Sequence, residues 1–206
     1  MRTGILGGTF DPIHIAHLHA GETALHQAQL DQVLFIPAGD PWQKLGRRVS
    51  ATEHRLEMVR LATAGVDGFR ADDRETTRDG LTYTVDTLAT FPEDEELFLI
   101  LGADAALRIP TWKRHQEVLD RATVLVVPRP GTDSTAVANI LPDPVFLDMA
   151  VLEVSGTEIR AMVRNGSAFR FLVTNEVHRY ISENNLYAEV GREDIVEGAT
   201  EMEDPS

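Results

Sequence analysis

Short apolar runs rich in β-branched residues alternate along this chain with stretches of helical periodicity, and this alternation limits the possible folds most. The runs are Thr3–Leu6, Val33–Ile36, Phe69–Ala71, Leu97–Leu101, Thr123–Val127 and Val145–Val154, the last broken near Asp148. Amphipathic stretches lie between them over 17–28, 52–64, 82–91 and 113–121. Strands covered on both faces read as continuous apolar runs, and an intervening helix returns the chain so that the next strand lies parallel. The pattern predicts a doubly wound, mainly parallel α/β sheet. Two further helices, over 156–165 and 174–185, form a helical C-terminal segment. Ser155 or Gly156 opens the first and Asn165-Gly166 stops it; Thr174 or Asn175 caps the second and Asn184-Asn185 ends it.

At 206 residues the chain is long enough for one domain with a full core. We expect a single domain over 1–188 and a solvated tail over 189–206. The tail holds seven acids against one arginine and has no aromatic residue. The whole chain carries a formal charge of −14, which argues against nucleic acid as a partner. No apolar segment reaches the roughly 20 residues that a membrane helix requires, and no signal peptide is evident. The absence of cysteine removes disulfides and thiolate metal sites, and suits a reducing cytoplasm.

In a parallel sheet, ligands sit beyond the carboxyl ends of the strands. The loop that follows the first strand reads GGTFDPIHIAH, residues 7–17. Gly7 and Gly8 allow close backbone approach, and Asp11-Pro12 is a turn signal. His14 and His17 stand one helical turn apart, so both rings can face one bound group. Imidazoles, amides and a helix start together suit a polyanion, most naturally phosphates. A glycine pair alone is commonplace. No Glu or Cys is spaced for zinc, and neither a Walker loop nor GxGxxG is present.

This loop resembles the (G/S)xFDPxHxGH signature of the nucleotidyltransferase superfamily, with Ala16 in place of the usual glycine. Residues 154–160, VSGTEIR, resemble its second signature, ISxTxIR. The interior is similar to the bacterial nicotinate-mononucleotide adenylyltransferase family. Pro41-Trp42-Gln43-Lys44 occupies the place of a PPH(R/K)-like segment, and Leu81–Leu88 resembles SYTxxTL. Gly102-Ala103-Asp104 with Pro110-Thr111-Trp112 resembles GxD…W, while Arg129-Pro130-Gly131 and 177–187 resemble later segments.

The resemblance implies a Rossmann-like fold and transfer of the adenylyl group of ATP to nicotinate mononucleotide. His14, His17 and Arg160 would be catalytic. ATP would be bound by Gly7, Gly8, Thr9, Phe10, His14, His17, Lys44, Gly102, Asp104, Ser155, Thr157 and Arg160. The mononucleotide would meet Tyr83, Thr84, Trp112 and Arg129. Mg²⁺ would be held mainly by phosphates and water, with no protein ligand set. The residues also make chemical sense individually. Trp112 offers a flat stacking surface, although it could equally serve the core. Tyr83-Thr84 at a helix start presents amides to a small carboxylate. Asp104 can accept from ribose hydroxyls or cap a helix. Lys44, Arg47 and Arg48 read as a clamp beside phosphates or as a solvated loop, and Arg160 brings a fork to anions. Two other readings remain: a superfamily adenylyltransferase for another phosphate, such as nicotinamide mononucleotide, or a non-enzymatic nucleotide-binding regulator.

Overall fold

The first strand, β1 (Arg2–Gly8), lies inside a six-stranded sheet in which every pairing is parallel. The others are β2 (Gln32–Pro37), β3 (Phe69–Ala71), β4 (Glu96–Gly102), β5 (Ala122–Val127) and β6 (Val145–Phe146), in the order β3-β2-β1-β4-β5-β6. This computed structural model describes residues 1–39, 49–78 and 80–188. Lys44, Trp42, Arg47, Arg48 and the 189–206 tail lie outside the described residues.

Alternation within each strand explains why both faces are covered. Ile5, Leu97, Leu99, Leu101, Val124 and Val126 point into one apolar cluster, whereas Leu6, Phe98, Ile100, Leu125 and Val127 point into the other. On the Leu6 face lie α1 (Ile15–Gln27), α2 (Thr52–Thr63), α7 (Gly156–Arg164) and α8 (Asn175–Glu183), which bury Ala24, Met58, Ile159 and Ile181. On the other lie α3 (Thr84–Leu88), α4 (Ala103–Ala106), α5 (His115–Arg121) and α6 (Ser134–Ala138), with Leu88, Ala106, Val118 and Val137 buried. Strand order reverses between β1 and β4, and this fixes where a ligand crevice opens.

Several elements depart from the sequence expectation for physical reasons. The predicted helix over 82–91 is confined to Thr84–Leu88. Tyr83 is extended at its start, and Phe91 precedes Pro92, where helical backbone is disfavoured. The predicted strand over 145–154 pairs only at Val145 and Phe146. Beyond them the Gln27 side chain donates to Asp148 O at 2.6 Å and accepts from Asp148 N at 3.0 Å, taking the place of a strand neighbour. Helices α4 and α6 are too short to show periodicity; α6 owes its start to Asp133, whose side chain accepts from Thr135 N. The last two helices match expectation, with Ser155 and Thr174 as their capping residues.

Helix α1 packs closely on β2 because position 21 has no side chain. A Cβ at Gly21 would lie 2.6 Å from Phe35 Cζ and 3.2 Å from Phe69 Cζ. Both rings are buried and packed on each other at 4.8 Å, so neither can give way cheaply. Gly21→Val should therefore lower stability by about 1–3 kcal/mol, read as a fall in the midpoint of thermal or denaturant unfolding.

Candidate active site

The loop leaving β1 turns on Phe10, whose backbone is left-handed at φ 50°. Such a conformation costs energy for a residue with a Cβ and needs support from packing. Its ring supplies that support, buried 6.2 Å from Phe35 and set edge-on to His17 at 5.0 Å. The chain then turns through Asp11-Pro12 and enters α1 with His14 as the extended residue at its cap. Helix α1 begins two residues earlier than predicted, placing His17 in its first turn.

The two imidazoles stack at 3.7 Å. His14 N–H donates to His17 Nδ1 at 3.3 Å, so the proton of neutral His17 sits on Nε2 and makes that edge a donor. His14 is 2% exposed. Burial, helped by the nearby positive charge of Arg129, lowers its pKa from 6.5 to about 4. His14 is thus neutral at physiological pH. Its Nδ1 is buried without a hydrogen-bond partner among the described residues.

Helix α7 delivers the second group. Ser155 caps it, accepting from Glu158 N at 3.2 Å, while Glu158 accepts from Ser155 N and Oγ. A Cβ at Gly156 would lie 2.7 Å from Asp11 O, so glycine lets α7 start directly against the first loop. Arg160 Nη1 donates to Asp11 O at 2.6 Å and Nη2 to Thr157 Oγ1 at 3.3 Å. The buried Asp11 carboxylate also accepts from Tyr187 Oη at 2.8 Å and Ser50 N at 3.3 Å. Burial, with Asp11 adding to it, pushes the Tyr187 phenol well above its usual range, so it serves as a neutral donor. Asp11, His14, His17, Ser155, Thr157 and Arg160, with Thr9, Asp104 and Arg129, line a cleft of about 660 Å³. Asp104 and Arg129 face each other at 3.8 Å across its rim.

A second cavity, of about 200 Å³, opens on the other side of Thr9. Gly7, Gly8, Tyr83, Thr84, Trp112, Glu75 and Lys113 are among its walls. Trp112 Nε1 is the other buried side-chain atom lacking a partner among the described residues. Glu75 accepts from Thr87 Oγ1 at 2.6 Å. Burial pushes its carboxyl above the usual range, although the hydroxyls of Thr87 and Thr82 pull the other way.

The sequence-predicted residues therefore divide between two cavities. His14, His17, Thr9, Phe10, Asp104, Ser155, Thr157 and Arg160 share the cleft, and Tyr83, Thr84 and Trp112 share the smaller cavity. Gly7 and Gly8, expected beside ATP, line the smaller cavity instead, where the sheet end passes beneath it. Arg129, expected beside the mononucleotide, lines the cleft because β5 carries it to the His14 side. Gly102 joins Ala16 in a recess of about 40 Å³ behind His17. Lys44 lies outside the described residues.

Three residues escaped the sequence reading. Asp11 looked like a turn residue only. Glu75 had no flag beyond its place shortly before the Tyr83 segment. Arg55 had a signal: it shares a helical face with Met58, Val59 and Ala62, and a charge on an apolar stripe needs buried partners.

Fold and cleft define a nucleotidyltransferase, and the Cytidylyltransferase-like family model matches residues 5–162. The chain belongs to this family and, within it, to the nicotinate-nucleotide adenylyltransferases. It is 40% identical to the probable nicotinate-nucleotide adenylyltransferase of Geobacter sp. (strain M21), over 92% of this chain and 99% of that one. It is 42% identical to that of Clavibacter michiganensis subsp. michiganensis, over 91% and 94%. The fold is shared with the Plasmodium falciparum nicotinic acid mononucleotide adenylyltransferase complexed with NaAD, at TM-score 0.77 and 17% identity, covering 90% of this chain and 97% of that one.

The lowered pKa of His14 makes stability depend on pH. Between about pH 4 and 6.5 the unfolded chain binds a proton at His14 that the folded chain does not, so the folded state weakens as pH falls through that window. NMR titration should show one histidine still neutral at pH 5, and His14→Gln should flatten the corresponding part of the stability–pH curve.

Proposed function

We propose that the protein transfers the adenylyl group of ATP to nicotinate mononucleotide, giving nicotinate adenine dinucleotide and pyrophosphate in NAD biosynthesis. One observation carries this reading: two cavities of unlike character meet at Thr9, and each is lined by one of the two residues, His14 and Trp112, whose buried side-chain nitrogen lacks a partner among the described residues. Buried polar atoms are nearly always satisfied, so such atoms mark places where a ligand completes the structure. The cleft, edged by Arg129, Arg160 and two imidazoles, suits the triphosphate. The Trp112 cavity suits a flat pyridine ring carrying a carboxylate. The names of the 40% identical relatives agree.

The nucleophile is a phosphate oxygen of the mononucleotide. It attacks the α-phosphorus of ATP as the bond to the β-phosphate oxygen breaks, and pyrophosphate leaves with that electron pair. A phosphate oxygen is already anionic, so no protein base is needed. The work is alignment and neutralisation of charge. His17, donating through Nε2, meets the developing charge, and His14 supports it through the stack. Arg160, with Ser155 and Thr157 beside it, holds the outer phosphates. Mg²⁺ travels with ATP. Among the described residues there is no group of three or more His, Cys, Asp or Glu that could hold a metal ion; the ion would enter on the phosphates of ATP. Bound there, the ion draws charge from the phosphates.

Pyrophosphate release measured with ATP, Mg²⁺ and each candidate mononucleotide tests the reading directly. Turnover should require a mononucleotide and be fastest with nicotinate mononucleotide; its absence would refute the proposal. His17→Ala should reduce kcat by ~10² or more with the fold intact, because the lost donor acts in the transition state. Trp112→Ala should instead raise KM for the mononucleotide much more than for ATP.

A further inference from the structure

A pyridine carboxylate and the corresponding carboxamide have almost the same shape. A cavity therefore separates them by charge and by hydrogen-bond polarity rather than by fit. Among the described residues lining the Trp112 cavity, two have side chains that can carry a formal charge at neutral pH: Glu75 and Lys113. They have opposite signs, so the preference depends on which one a ligand meets as an ion.

Lys113 is well placed for that role. Its Nζ lies 4.2 Å from the centre of the Tyr83 ring and 3.1 Å from Asp86 Oδ2. The ring and the carboxylate hold the ammonium beside the cavity. Asp86 takes one of three N–H bonds, which leaves donors for a ligand. Arg114 also bonds Asp86, at 2.8 Å, but has Glu117 at 3.6 Å as a second acid. Neither Asp86, Arg114 nor Glu117 lines the cavity. Lys113 follows Trp112 directly, and a 3-10 turn over Ile109–Thr111, anchored by the buried Ile109, fixes both. Stacking surface and positive charge thus come from one rigid segment.

We infer that Lys113 is a specificity-determining residue that makes this cavity prefer a pyridine carboxylate to a pyridine carboxamide. The inference rests on the function proposed above. A carboxylate gives the ammonium two acceptors and an opposite charge. A carboxamide offers a single acceptor and turns an N–H₂ group toward other donors, including Lys113 itself. Glu75 would favour the amide if it were ionised, but its burial disfavours that form. Lys113 is thus the cavity's side-chain charge that favours an anion.

The test measures steady-state pyrophosphate release with nicotinate mononucleotide and with nicotinamide mononucleotide, at saturating ATP and Mg²⁺. Lys113→Gln should narrow the acid-over-amide ratio of kcat/KM by about two- to fivefold, the worth of a charge pair partly open to solvent. The change should fall on KM for the acid. Lys113→Arg should keep the wild-type ratio, because the charge remains. Added salt should raise KM for the acid more in the wild type than in Lys113→Gln. A wild-type ratio in Lys113→Gln, or an equal loss with both substrates, would overturn the role of Lys113. Wild-type protein inactive on both mononucleotides would overturn the functional reading instead, so the two failures are distinguishable.

Discussion

The geometry of both cavities depends on one buried guanidinium. Arg55, on α2, is 2% exposed and donates to the carbonyls of Thr9, Ala38, Gly39 and Ser50 and to Thr52 Oγ1, at 2.7 to 3.1 Å. Two of these carbonyls, Ala38 and Gly39, lie just past β2, and Thr9 lies just past β1. At such strand ends the ladder of backbone bonds stops, and carbonyls turned inward need another donor. A guanidinium with five N–H groups in a fixed fork can serve several of them together, which an ammonium cannot do with the same geometry. Burying the charge is tolerable because every direction of the fork meets an acceptor. Thr9, the residue common to both cavities, is thereby pinned by a side chain that lines neither of them.

Electrostatics divides the labour between the cavities. The cleft keeps His14 unprotonated while placing Arg129 and Arg160 nearby, so its permanent positive charge comes from the arginines. A doubly protonated histidine pair stacked at 3.7 Å would repel itself and destabilise the empty protein. A neutral His14 avoids that cost. The Trp112 side is more apolar and carries one cation, Lys113, and one acid, Glu75, whose burial raises its pKa.

Much of this was legible in the residues themselves. The six strands follow from apolar runs of the right length, and the doubly covered sheet follows from their alternation with helices. His14, His17, Ser155, Thr157 and Arg160 could be brought together from two motifs far apart in sequence, because both fall at carboxyl ends of the sheet. What could not be read was set by contacts distant in sequence. No local pattern announces that Gln27 ends a strand at Asp148, that Arg129 turns toward His14, or that Asp11 is shared by Arg160, Ser50 and Tyr187. Arg55 is the intermediate case. Its place on an apolar stripe marked it as unusual, but its acceptors come from loops that periodicity does not describe.

The bond from Tyr187 to Asp11 joins positions 176 residues apart, and Arg160 reaches the same loop across 149. On a ribosome, the amino-terminal loop emerges long before either partner exists. Its histidines and turn can take shape early against β1 and α1, but the carboxylate of Asp11 then lacks two of its acquired neighbours. The nascent chain is thus unable to complete this loop's contacts until residue 187 has been made. The cleft's surroundings are therefore complete only once α7 and the segment after α8 have docked, so a chain cut before residue 160 would hold both imidazoles without the partners of the Asp11 loop.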